Sequence, residues 1–454
     1  MTKHFLPIFL VAISVFMLSS CLGSDDDEVT YYEDTAITAF TLGTLNVNHQ
    51  TKASDGVTDS TYVTTLTGST YKFNIDQLRN TIYNTDSLPY GTDVAHVLAT
   101  ISSKNSGMVV LNLKDKSGAD SLAYYSSTDS IDFTDPVRIR VYNMMGSAYR
   151  EYSVTVNAHK EKADSFKWNV TTGDLASVGK RKLLSLGNDI FLFGVENGGT
   201  IGYKKAGGTW ERLAMGDLDA DACDNITAFN NKLYTISANS IVCSSDGQQW
   251  SEVAPSQGIR QLLGATAFRV YALTETGIAY STDLTNWKED RLDDSFALLP
   301  NEDLNLVWQV SVMNSKVNHL VLVGNREGKT MVWSKAEEND NANSTEPWAY
   351  YPEDAYNRKT LPYLANLRVV VYDGKLLATG GDLSKFYVSP DKGLTWERDT
   401  TYVLPDNYVG NSAPFGFCKD NSNVLYFSKS GDNSVLMGRL ARLGWKEDDG
   451  LFTE

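Results

Sequence analysis

Fifty-six acidic residues, five histidines and four cysteines are the groups through which this 454-residue chain could do acid–base, metal or thiol chemistry. Their spacing argues against most of it. His4, His49, His96, His159 and His319 are scattered, with no pair at ligand spacing for a metal. Paired carboxylates such as Asp293-Asp294 and Glu353-Asp354 are common in so acidic a chain and read as solvated surface. No Gly-x-Ser-x-Gly, no Walker loop and no nucleophile elbow occurs. After Cys21 only Cys223, Cys243 and Cys418 remain, an odd set without a Cys-x-x-Cys spacing and hence no disulfide framework. They read as buried free thiols, with a Cys223–Cys243 pair as the alternative. The expectation is no metal, no cofactor and no catalytic residue.

The elements that position these groups are strands. The chain carries 24 Tyr and 9 Trp among many Thr, Ser, Gly and Asn, a composition that favours strands and turns over helices. Its 42% apolar content supports large cores, and its length has room for two or three domains. A net charge of −16 argues against nucleic acid and against anionic membrane surfaces, both of which need basic patches.

At the N-terminus, Lys3 precedes an uncharged apolar run from Phe5 to Leu18. This run is too short for a permanent span but suits a secretory signal over residues 1–20. Leu18-Ser19-Ser20-Cys21 resembles a bacterial lipobox, which implies acylation of Cys21 and attachment to a lipid bilayer. The acidic tether of residues 21–34, with Ser24, Asp25, Asp26, Asp27 and Glu28, resembles the surface-export signal of Bacteroidota lipoproteins. The implied location is the outer membrane, lipid-anchored at the cell surface.

Residues 35–158 read as short strands between turns. Val137–Tyr142 and Arg150–Val156 alternate around a turn containing Gly146, a closing hairpin similar to that of Ig-like modules. Ile75, Leu78 and Ile82 have helical spacing, so Asn74–Tyr83 is expected to be a short helix or an irregular crossover. The polar stretch 159–165 is the linker.

Residues 166–450 form a repeat array. Ser389-Pro390-Asp391-Lys392-Gly393-Leu394-Thr395-Trp396 is its sharpest copy. Shortened copies carry Ser244, Asp246 and Trp250, then Ser281, Asp283 and Trp287, and a decayed one ends at Trp210. They resemble the Asp box of β-propellers. In such a turn Ser and Asp take up main-chain N–H groups, Gly allows positive φ, and Trp packs between blades. A second mark agrees: apolar pairs at Ile190-Phe191, Leu233-Tyr234, Val270-Tyr271, Leu320-Val321, Leu376-Leu377 and Leu425-Tyr426 each precede a tryptophan, the last being Trp445. The expected fold is all-β, an N-terminal Ig-like β-sandwich followed by a six-bladed β-propeller, with seven blades as the alternative. Phe166–Val170, around Trp168, is a candidate for the strand that closes the ring. Glu337–Ser344 reads as a polar insertion where a box should be.

Asp-box propellers include sialidases, which need an early arginine in a Phe/Tyr-Arg-Ile-Pro motif. Phe268-Arg269-Val270 comes closest but lies in the third unit without the proline. The order of parts resembles two-domain Bacteroidota surface lipoproteins of unassigned function. This implies a non-catalytic binding or scaffold protein for a glycan or protein partner at the propeller face. The alternatives are a glycan-acting hydrolase with a site in the channel and an envelope assembly factor. Arg181, Asn225, Arg260, Gln261 and Gln309, polar residues near the starts of inner strands, are the candidate binding residues. Five Asp-Ser/Thr triplets (at Thr35, Ser60, Ser87, Ser121 and Ser130) also resemble bacterial O-glycosylation sites.

Overall fold

The computed structural model describes residues 34–114, 118, 120–338, 346–354 and 356–445. The apolar leader, Cys21 and the acidic run behind it lie outside the described residues, as do 339–344 of the expected insertion. Among the described residues no helix is long and apolar enough to cross a membrane. The chain forms two compact units, one running to Lys160 and one from Glu161 to Trp445.

In the first unit, Val137, Ile139 and Val141 are buried while Arg138 and Arg140 point the other way, as strand alternation requires. Val137–Tyr142 pairs antiparallel with Tyr149–Thr155, at the middle of a six-stranded sheet. The Asn143 side chain accepts the Ser147 N–H at 2.9 Å and fixes their turn. One pairing in this sheet is parallel, between Tyr149–Thr155 and Thr81–Asn84. A second, two-stranded sheet of Ile37–Leu42 and Ala99–Ser103 packs Ile37, Phe40, Leu42 and Ile101 into the same core as Ile82, Ile139, Tyr152 and Val154.

Asn74–Tyr83 is neither helix nor crossover. Phe73–Asp76 and Thr81–Asn84 make a hairpin. The Asp76 carboxylate accepts the N–H groups of Leu78 and Arg79 at 2.9 and 3.0 Å, and Asn80 takes φ of +54°. Turn chemistry thus overrides the apolar spacing, and Leu78 is 96% exposed. Of the five Ser/Thr triplets, Thr35 and Ser87 are buried, Ser60 is half-buried, and Ser121 and Ser130 are exposed.

Among the described residues the second unit contains six four-stranded antiparallel sheets. The first runs through Arg181–Leu186, Asp189–Glu196, Gly199–Ala206 and Thr209–Arg212, and the second spans Thr227 to Pro255. The third spans Ile259 to Glu289, the fourth Glu302 to Tyr350 and the fifth Arg368 to Asp399. The sixth combines Phe415–Lys419, Leu425–Lys429 and Ser434–Leu440 with Phe166–Thr172 as its outer strand. The opening strand of each sheet touches that of the next, and the sixth touches the first, so the contacts complete a cycle. All six apolar pairs read from the sequence lie in second strands and are buried.

Packing between sheets is also cyclic. Each of six apolar clusters joins two neighbouring sheets. A tryptophan from one sheet's outer strand or the turn before it contributes to each seam: Trp168, Trp210, Trp250, Trp287, Trp348 and Trp396. Trp168, carried by the outer strand of the sixth sheet, therefore takes the place expected for Trp445.

The three Ser-x-Asp turns join third to fourth strands. Ser244 Oγ accepts the Gly247 N–H at 2.9 Å, Asp246 Oδ1 accepts Gln248 and Gln249, and the Trp250 indole donates to the Gly247 carbonyl at 3.1 Å. Ser281, Asp283 and Trp287 repeat the pattern, as do Ser389, Asp391 and Trp396. Gly393 has φ of +91°, a left-handed position that glycine fills without strain. Leu284 occupies the corresponding place at φ of +61° and buries its side chain in the seam.

Candidate functional site

A cavity of about 510 Å³ lies where the opening strands of the second unit begin. Lys180, Lys182 and Leu183 come from the start of the first sheet, and Asp224 from the helical turn Ala222–Asn225 before the second. Gln261 and Leu263 belong to the third sheet, residues 301–306 to the fourth, Arg368 and Val369 to the fifth, and Phe417 to the sixth. Every sheet, or the turn leading into it, thus reaches one chamber.

Its charged groups are three cations and three anions: Lys180, Lys182 and Arg368 against Asp224, Glu302 and Asp303. Lys180 is ion-paired with the Asp224 carboxylate. The Lys182 ammonium donates to the Asp224 main-chain carbonyl at 2.6 Å. Burial pulls the Lys182 amine down to about 8; Asp224 opposes this, and the positive charges of Arg368 and Lys180 add to it. The neighbouring Cys223 thiol is pushed up to about 12 by burial, so it is no nucleophile. Arg368 Nη1 donates to the Leu367 carbonyl at 2.9 Å and stands 3.7 Å from Asp303. Asp303 also accepts from Asn325 at 3.0 Å. The Asn305 amide is committed to structure, donating to the Asp303 and Leu367 carbonyls and accepting from the Val369 N–H. Glu302 is exposed and makes no ion pair among the described residues.

Of the five residues chosen from sequence, only Gln261 lines this cavity. Arg181 is fully buried: its guanidinium donates to the carbonyls of Leu175, Val178 and Asp432 and to Ser428 Oγ, tying the first sheet to the sixth. Burial lowers its pKa to about 10. Asn225 is likewise structural, accepting the Leu262 N–H at 2.9 Å and donating to the Asp221 carbonyl. Arg260 is exposed and lies 3.6 Å from Glu275, and Gln309 sits at the far end of its strand. Alternation explains two of these misses. Lys180 and Lys182 flank Arg181, and Gln261 follows Arg260, so side chains one residue away face the cavity instead.

The arginine in Phe268-Arg269-Val270 is also structural. Arg269 is buried, 3.8 Å from Glu337 and 4.8 Å from the Tyr280 ring. Glu337 is not part of a solvated insertion; it is the buried penultimate residue of the strand Lys329–Glu338 and accepts from Tyr271, Thr266 and Asn318. Cys223, Cys243 and Cys418 are unpaired; Cys243 is half-buried and the other two are buried. Among the described residues no group of three or more His, Cys, Asp or Glu side chains is placed to hold a metal ion.

Six sheets in a cycle around a chamber at their strand starts define a β-propeller, here preceded by a second β-rich domain. The chain belongs to the DUF6242 family: residues 162–448 match the DUF6242 beta propeller domain and residues 40–156 match the DUF6242 N-terminal domain, a domain of unknown function. No curated protein matches the sequence. Among solved structures, a Trichoderma reesei carbohydrate-active enzyme of family AA12 is similar at 8% identity and a TM-score of 0.37, over 60% of this chain and 96% of that one. The catalytic domain of a Coprinopsis cinerea GH62 alpha-L-arabinofuranosidase is similar at 10% identity and a TM-score of 0.29, over 61% and 98%. A glycosyl hydrolase from Bacteroides ovatus shows 10% identity and a TM-score of 0.25, over 52% and 86%. Likenesses this low carry no argument about chemistry.

Proposed function

We propose that this protein is a surface-exposed outer-membrane lipoprotein, acylated at Cys21, whose propeller is a non-catalytic binding or scaffold module for a glycan or protein partner. In this reading the N-terminal domain is an Ig-like sandwich that serves as a spacer, and the propeller has six blades, three of them stapled by Asp boxes. The observation that carries it is the chamber, in which each of the six sheets, or the turn leading into it, presents side chains to one ligand-sized volume. Two of its carboxylates are engaged with cations: Asp224 with Lys180, and Asp303 with Arg368. Anchoring rests on Leu18-Ser19-Ser20-Cys21 after an uncharged apolar run.

The test combines a glycan array, partner capture from solubilised membranes and an activity screen, all on the full chain. A bound glycan or one dominant partner, lost on Gln261→Ala together with Arg368→Gln, is the expected result. Binding that ignores those substitutions would overturn the site. A second reading, a glycan-acting hydrolase, is favoured by three carboxylates in one chamber. Turnover abolished by Glu302→Gln would establish it in place of the first. For the anchor, labelled fatty acid should enter the wild-type chain and not Cys21→Ser, and protease added to intact cells should cleave the protein.

A further inference from the structure

We propose that the chamber recognises the carboxylate of an acidic sugar, a uronate, through the Lys182 ammonium flanked by Lys180 and Arg368. This deepens the binding reading above and rests on the chamber being its ligand site.

Lys182 is a half-buried cation whose hydrogen bond goes to a carbonyl, leaving two of its three donors for a ligand. Lys180 already has the Asp224 carboxylate, and Arg368 lies at 3.7 Å from Asp303, longer than a hydrogen bond. A partly buried ammonium whose hydrogen-bond partner is a neutral carbonyl, beside two further cations, favours an anion as its next partner. The three cations are matched in number by Asp224, Glu302 and Asp303, so an anion must be held by the two remaining Lys182 donors and not by net charge, and two donors match the two oxygens of one carboxylate. A single carboxylate suits it better than a phosphate. The remaining walls suit a sugar: Leu263, Leu306 and Phe417 are apolar, while Gln261, Asn301 and Glu302 carry groups that bond hydroxyls. The volume of about 510 Å³ falls within the small-molecule range of roughly 300–1,000 Å³.

The amine's ordinary charge change lies well above neutrality, but burial sets it to about 8, with Asp224, Cys223, Arg368 and Lys180 as the titratable and charged groups facing it. It is therefore an ammonium below about pH 8 and loses its proton as pH rises through that value. Cys223 stays uncharged across this range.

Calorimetric titration of the full chain with glucuronate, its methyl ester, glucose and inorganic phosphate tests the assignment. Glucuronate should bind about tenfold or more tightly than the ester, which lacks the charge. Its affinity should fall as pH rises through about 8. Lys182→Met should weaken glucuronate about tenfold and remove that pH dependence, and Lys182→Arg should retain binding while shifting it beyond the measured range. Equal affinity for acid and ester overturns the assignment without any variant, and so does tighter binding of phosphate. Neutral glycans bound at the chamber with no response to glucuronate would overturn it while leaving the binding reading intact. Binding of no sugar at all, with a protein partner captured instead, would have the same effect.

Discussion

In the fifth sheet the Trp396 indole N–H donates at 3.0 Å to the carbonyl of Gly393, three residues back in its own turn. The fourth sheet carries no Ser-x-Asp-x-Gly sequence ahead of its tryptophan, and this Trp348 donates at 3.0 Å to the carboxylate of Asp290, at the outer edge of the third sheet. That carboxylate also lies 2.9 Å from the Lys335 ammonium, and both side chains are almost wholly buried. Trp348 is fully buried and meets Tyr271 edge-on at 5.7 Å. Two sheets thus seat the same ring against a neighbour, one by a local staple and one by a tertiary ion pair. A local staple forms with its turn. A tertiary one exists only once two sheets have met, and its removal strands a charge in the interior.

Breaking the ion pair should have the largest effect. Asp290→Ala leaves Lys335 charged without its carboxylate and the Trp348 indole without its acceptor, at a cost of about 3–5 kcal/mol. All nine tryptophans lie at or beyond Trp168, so their fluorescence follows the propeller alone during denaturant unfolding. Asp290→Leu combined with Lys335→Met should regain most of the loss, since apolar replacement of a whole buried pair is often neutral. An unchanged midpoint for the single variant would show that the fourth sheet does not depend on this pair.

A middle-sized effect separates the two staples directly. Trp348→Phe removes a donor from a buried carboxylate and should cost about 2–3 kcal/mol, against about 1 kcal/mol for the hydrogen bond lost in Trp396→Phe. The cavity left by the smaller ring is common to both, so the difference isolates the acceptor. Equal losses would refute the distinction.

The smallest effect concerns the exposed carboxylates of the local staples. Main-chain N–H donation from Asn286, with its side-chain amide and the Thr285 N–H, holds the Asp283 carboxyl far below the usual range. Asp246 is lowered in the same way by Gln248 and Gln249. A carboxyl depressed by folding stabilises above its unfolded pKa of about 3.9 and loses that contribution as pH falls through its folded value. Asp283→Asn should therefore change stability by less than about 0.5 kcal/mol at neutral pH, and should lose less than wild type on acidification. Parallel acid limbs would contradict the role given to the N–H groups.

This contrast also marks what the sequence discloses. Ser244, Asp246 and Trp250 act within seven residues, so their turn can be read directly, and so can the six buried pairs that mark second strands. The Asp290–Lys335 pair spans 45 positions and leaves no spacing to recognise. The chamber is legible only in part, because its lining depends on which of two alternating side chains faces inward. Gln261 lies on the inward side and Arg181 does not, since the Arg181 side chain is drawn to the Leu175 carbonyl and, in the sixth sheet, to the Asp432 carbonyl and the Ser428 hydroxyl. Lys182 owes its lowered amine pKa first to burial in a chamber that every sheet helps to build, with Arg368 of the fifth sheet adding to it. Asn74–Tyr83 misled for the opposite reason: a purely local turn at Asp76 defeated a longer apolar period.

The outer strand of the sixth sheet has one more consequence. Phe166–Thr172 is the first strand of its domain to be synthesised, yet its partner is Ser434–Leu440, and Thr171 Oγ1 donates to the Val435 carbonyl 264 positions later. The earliest strand must wait for the latest, so the sixth sheet cannot be completed until Ser434–Leu440 has been made. Five sheets can assemble from neighbours in order of synthesis, while the sixth requires the most distant closure in the molecule. A chain that stops short of Ser434 therefore has no partner to offer its opening strand.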